Sequence, residues 1–190
     1  LNDQHGDPRK PYIKLHFGEK DERKTLRLFP TISPETFAAV RLLPSRGNLR
    51  SLEKGAGERA ASPYYNQSIA EDMYSEAHAQ YFAEASAKAK SLPGAVIVFK
   101  RWAQARKLLD VPGGINGFFI SMLLAYMAQK GGQLSSSMDI NQMFRAALNG
   151  LAKPGFFKKG LFMHSKPAEV AEWHGAFSHV FLGPGGHVNI

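Results

Sequence analysis

The sequence predicts an α+β fold in which a short β-segment precedes a mostly helical domain. Residues 11–17 ("PYIKLHF") and 25–29 ("TLRLF") alternate large apolar with polar or basic residues, the period of half-buried strands. From residue 68 onward apolar residues recur at helical spacing instead. Phe118 to Ala128 is almost wholly apolar, which marks a central helix with neighbours on every side.

The two strands are joined by a charged connection, "GEKDERK", that begins at Gly18, and a β-hairpin is the economical expectation. Ser33 is placed to cap a turn opened by Pro34, and "RLLPSRGNLR" then reads as an irregular basic segment. Residues 51–63 are small, glycine-bearing and charged, the composition of a loop or boundary.

Ser68 followed by Glu71 has the form of a capping box. It predicts a helix to about Lys90 with Ile69, Met73, Ala77, Tyr81 and Ala85 on one face. Pro93 opens a second helix, with Val98, Phe99, Trp102, Ala105 and Leu109 on its apolar face, ended by Pro112 to Gly114. The third spans about 116–130. The fourth begins near Asp139 and buries Ile140, Met143, Phe144, Ala147, Leu148 and Leu151. "FSHVFLGPGGHVNI" reads as a strand, a tight turn and the start of another strand. Ending there, and not opening on Met, the chain is expected to be a piece of a longer protein.

A membrane span needs about 20 consecutive apolar residues. The apolar run from Phe118 to Ala128 is shorter and is flanked by glycines, Asn116, Gln129 and Lys130, so no membrane partner is expected. There are no cysteines, which excludes disulfides, thiolate metal sites and cysteine catalysis. With 24 Lys and Arg against 16 Asp and Glu, the formal charge is +8 and the pI about 9.7. That balance fits a polyanionic partner.

Metal-dependent phosphoryl or nucleotidyl transfer needs clustered carboxylates. No Asp-x-Asp or Asp-x-Glu pair ends a predicted strand: Glu19, Asp21 and Glu22 lie in a charged turn, and Glu71 and Asp72 near a helix N-terminus. The seven histidines are scattered, with no i, i+4 helical pair, and His174 and His179 make a weak metal candidate. No metal and no cofactor is expected. The candidate contacts are basic: Arg41, Arg46, Arg50 and Lys54 in one short segment, and Lys153, Lys158 and Lys159 around Phe156 and Phe157 in another. Cations hold phosphates and exposed aromatics stack bases, although packing against the helices is the plainer reading of Phe156 and Phe157.

The stretch "AVIVFKRWAQARKLL…GGINGFFISMLLAYM" resembles the helical module that follows the catalytic sheet in the poly(A) polymerase and oligoadenylate synthetase superfamily. "LFPTISPETFAAVRLLPSRGNLR", "SPYYNQSIAEDM" and "NQMFRAALNGLA" are similar to the Nrap family of nucleolar RNA-associated proteins. The resemblance implies that residues 1–50 end a nucleotidyltransferase-like sheet, 51–62 form a linker, 63–165 form its helical companion, and 166–190 form a hairpin returning to a sheet. It implies a nucleolar scaffold of the small-subunit processome, without catalytic carboxylates, that contacts pre-ribosomal RNA, small nucleolar RNA and other assembly proteins.

In active superfamily members the Lys before the Trp contacts the triphosphate, hydroxyls after Gly-Gly assist, and the next aromatic stacks on the base. The resemblance places Lys100 and Phe118 at the first and last of these positions, with Asn116 and Gly117 where hydroxyls would stand. A degenerate nucleotide pocket is therefore expected. The alternative is an active RNA nucleotidyltransferase that extends 3′ ends with Mg²⁺.

Overall fold

The computed structural model describes residues 2–4, 7–18, 24–49, 60–109, 115–130, 132–153, 161–162 and 181–182. The fold is α+β, as the two periodicities predict, and the chain divides by packing into two units that meet after Thr36.

The first unit is a three-stranded antiparallel sheet in the order β1 (Asn2–Gln4), β2 (Asp7–Phe17), β3 (Lys24–Leu28). The two predicted strands pair in register, with Ile13 opposite Leu28, Leu15 opposite Leu26 and Phe17 opposite Lys24. Side chains alternate across a strand, so these positions share one face and Lys14, His16, Thr25 and Arg27 the other. Gly18 leaves β2 with φ +94°, a left-handed conformation that glycine adopts without a Cβ penalty. After β3, Ser33 caps the turn at Pro34 as expected: its carbonyl accepts from Thr36 N at 2.9 Å and its hydroxyl from Glu35 N at 3.3 Å.

The second unit is helical: α1 (Pro63–Met73), α2 (Ser75–Lys88), α3 (Leu92–Ala105), α4 (Gly117–Gln129) and α5 (Ile140–Leu151). The helix expected from Ser68 to Lys90 is in fact two. The first starts at Pro63, whose fixed φ suits the opening turn, and Tyr74 separates it from α2. Ser68 lies inside α1, past its first turn, and is not its N-cap.

Helix α4 is the centre of the core, with Ile120, Met122 to Ala125 and Met127 all buried. It is surrounded by Tyr81 and Ala85 of α2, Ala95, Val96, Phe99 and Ala103 of α3, and Met143 and Ala147 of α5. The stripe expected on α3 is rotated: Ala105 is exposed, while Ala95, Val96 and Ala103 are buried. Small residues there let neighbouring helices come close. At Gly94 an added Cβ would stand 2.5 Å from Ile140 Cδ1. Phe99, Trp102 and Phe144 pack edge to face with centroids 5.2 to 6.2 Å apart, which ties α3 to α5.

Local signals set the ends of these helices. Asp139 opens α5 with a complete capping box: its carboxylate accepts from Gln142 N at 2.8 Å, and the Gln142 side chain accepts from Asp139 N at 2.9 Å. At the end of α3, Lys107 takes φ +55°, with Leu108 N donating to Ala103 O and Lys107 N to Gln104 O. This is the Schellman arrangement, with lysine where glycine is usual.

Two short strands, β4 (Leu161–Phe162) and β5 (Phe181–Leu182), pair in parallel. The Gly-Pro-Gly-Gly turn and the strand expected after it lie outside the described residues. No helix among the described residues is long and apolar enough to cross a membrane.

Candidate nucleic-acid interface

The basic segment is built onto α1 rather than left as free loop. Residues Ala39–Leu42 form one 3-10 turn that buries Leu42 against Ala70 and Met73. The chain then doubles back and is fastened by side-chain amides. Asn66, fully buried in α1, donates from Nδ2 to the carbonyls of Leu43 and Arg46, both at 2.8 Å. Its Oδ1 accepts from Asn48 Nδ2 at 2.8 Å, and the Ser62 hydroxyl lies 3.1 Å away. Asn48 also donates to Arg41 O at 2.7 Å, and Ser62 Oγ accepts from Asn48 N at 2.9 Å. Ser62 N completes the clamp by donating to Arg46 O at 3.1 Å.

Both side-chain polar atoms of the buried Asn66 and the hydroxyl of Ser62 are paired inside the protein, the condition under which buried polar groups rigidify a structure. The carbonyls of Arg41 and Arg46 are held while both side chains are exposed. Residues 41–49 contain two arginines and no acid, so the charged side chains on the fixed backbone are cations alone. Arg50 and Lys54 lie outside the described residues. In the second basic cluster Lys153 is exposed just past the end of α5, and Lys158, Lys159, Phe156 and Phe157 lie outside the description, as do His174 and His179.

The clamp residues Asn48, Ser62 and Asn66 were not singled out as functional by periodicity or motif. The available signal was a serine before Pro63, inside the segment read as a loop, and an asparagine one turn into the helix.

The positions of the expected nucleotide pocket come together around the start of α4. Asn116 is the N-cap, and its side-chain oxygen accepts from Phe119 N at 2.7 Å. The side chain of Lys100 lies along Gly117, with Cε 3.4 Å and Nζ 3.6 Å from where a Cβ would stand. Phe118 is 41% exposed and meets His78 edge to face, with centroids 5.0 Å apart. His78 itself is buried, which lowers its pKa to about 4 and keeps it neutral. Among the described residues no group of three His, Asp or Glu could hold a metal ion.

The helical unit, in which Lys100 lies along the glycine that opens the central helix, falls largely within a stretch matched by a poly(A) polymerase/oligoadenylate synthetase-like domain. Residues 91–190 match the model of the Nrap protein PAP/OAS-like domain, and residues 1–88 match that of Nrap protein domain 1. The chain belongs to the Nrap family. It is 33% identical to Nucleolar protein 6 of Homo sapiens, over 95% of this chain and 17% of that protein. Nucleolar protein 6 of Mus musculus is likewise 33% identical over 95% of this chain, and that of Drosophila willistoni 25% identical over 97%. The chain thus spans about a sixth of the length of the curated relatives it matches.

The two family segments meet between α2 and α3, yet Tyr81 and Ala85 of α2 share one core with α3, α4 and α5. Gln129 Nε2 donates to Tyr81 O at 3.1 Å across that boundary.

Proposed function

We propose that this chain is a non-catalytic part of a nucleolar ribosome-assembly scaffold. It acts in the small-subunit processome and contacts pre-ribosomal RNA, small nucleolar RNA or neighbouring assembly proteins through its basic segments. The observation that carries this function is the clamped segment 41–49: two exposed arginines on a backbone fixed by Asn48, Ser62 and Asn66. A rigid cationic surface gives up little conformational entropy when it meets a phosphate backbone.

Support for a non-catalytic role comes from the start of α4. The carboxamide of Asn116 is occupied as a helix cap, and Phe118 has a neutral histidine ring against it. Neither Asn116 nor Gly117 supplies the hydroxyl donor to phosphate that a transferase would place there.

The test is RNA binding by the full-length protein across a salt series. The double substitution Arg41→Glu and Arg46→Glu should weaken binding and lower the salt slope by about 1.4, at roughly 0.7 per phosphate contact on a single strand. Unchanged affinity and slope would remove the RNA contact from this segment. Template-free RNA extension with Mg²⁺ that disappears on Lys100→Ala would overturn the non-catalytic role.

A further inference from the structure

We infer that one face of the β2–β3 ribbon is a second binding surface for single-stranded RNA, separate from the clamped segment. The ribbon has two unlike faces. One carries Ile13, Leu15, Leu26 and Leu28, all 43 to 49% exposed within this unit. The opposite face carries Lys14, His16, Thr25 and Arg27, all exposed.

That face is built of three cross-strand rows: Tyr12 beside Phe29, Lys14 opposite Arg27, and His16 opposite Thr25. Lys14 and Arg27 stand directly opposite each other, where like charges repel, with side chains beginning about 5 Å apart. No acidic residue occurs at positions 12–17 or 24–28 to offset them. An anion placed between the two cations relieves that repulsion.

The aromatic row decides which anion. The Arg27 guanidinium sits over the Tyr12 ring, 5.4 Å from its centroid, and Tyr12 packs on Phe29 at 5.4 Å. The cation–π contact keeps the Arg27 guanidinium beside this aromatic row. A planar cation beside a second cation suits a base stacked on a guanidinium with its phosphate on the neighbouring lysine. His16 is fixed through Nδ1 and Thr25 Oγ1 at 3.1 Å, which orders the end of the same face. An acidic peptide would satisfy the charges but leave the stacking plane unused.

Binding of the full-length protein to a fluorescent oligouridine should be measured over a salt series, alongside the Arg41→Glu/Arg46→Glu variant. Lys14→Ala should lower the salt slope by about 0.7. Arg27→Lys keeps the charge and loses the plane, so the slope should hold while affinity drops roughly fivefold or more. Melting curves on each variant show that the protein remains folded, and Arg27→Lys serves if Arg27→Ala does not fold. Loss in the ribbon variants with binding kept in the Arg41/Arg46 variant supports this surface and not the clamp. Ribbon variants that bind oligouridine like the parent protein overturn it, as does an effect on polyglutamate binding alone.

Discussion

Asn66 is the residue on which the placement of the basic segment turns. It exchanges four hydrogen bonds with Leu43, Arg46, Asn48 and Ser62 from a fully buried position. Replacing it with leucine, of similar volume, deletes all four. The partners are not orphaned: Leu43 O still accepts from Arg46 N, Arg46 O from Ser62 N, and Asn48 still donates to Arg41 O. The cost is therefore nearer four ordinary hydrogen bonds than four stranded buried groups, less what the leucine regains by burial. That is about 3 kcal/mol, or a fall in Tm of roughly 6 to 12 °C. Asn66→Asp should cost more, since it puts a carboxylate oxygen where an amide now meets two carbonyls at 2.8 Å. Burial beside those carbonyls would raise the introduced carboxyl's pKa in the folded state, so this destabilisation is greatest at neutral pH and relieved as pH falls. Urea unfolding gives the energies, and trypsin cleavage after Arg41 and Arg46 reports the segment itself. An Asn66→Leu protein within about 0.5 kcal/mol of the parent, with those sites still protected, would refute the clamp.

Three further outcomes follow from the geometry. Because burial holds His78 at about 4 against an ordinary 6.5, the unfolded chain takes up a proton first as pH falls. Stability is complete above 6.5 and is lost on descending to 4, by about 3 kcal/mol in all; urea midpoints of His78→Leu should lack that component, and equal pH profiles would exclude it. Lys107→Gly should stabilise by about 1 kcal/mol, because glycine tolerates the left-handed cap at φ +55°. A glycine variant no more stable than Lys107→Ala would contradict this. Gly94→Ala should cost about 1 to 3 kcal/mol through overlap with Ile140, and Ile140→Ala in the same protein should recover part of it. Strict additivity of the two in thermal melts would show that they do not touch.

What was legible in the sequence was whatever a short window decides. Alternation placed β2 and β3, and uniform apolarity placed α4 at the centre, because each element's own side chains carry its burial. Asp139 was legible as a helix start because its cap partner is three residues away. The start of α1 was not, because the Ser62 hydroxyl bonds Asn48 N and Arg46 O or Asn66 Oδ1 and caps no backbone N–H of its own helix. The two patterns, Ser68 with Glu71 and Ser62 with Pro63, compete as local signals, and a contact 16 residues back to Arg46 decides between them. The same holds for α3, whose buried face takes in Ala95, Val96 and Ala103 beside Phe99 and leaves Trp102 only partly buried.

The candidate site divides along this line. The basic character of residues 41–50 is a matter of composition and could be read directly, whereas its rigidity depends on Asn48 and Asn66, 18 positions apart. The two asparagines stand in separate segments, and neither half of the clamp can form its hydrogen bonds without the other. Substituting Asn48 and Asn66 together should therefore cost clearly less than the sum of the single substitutions.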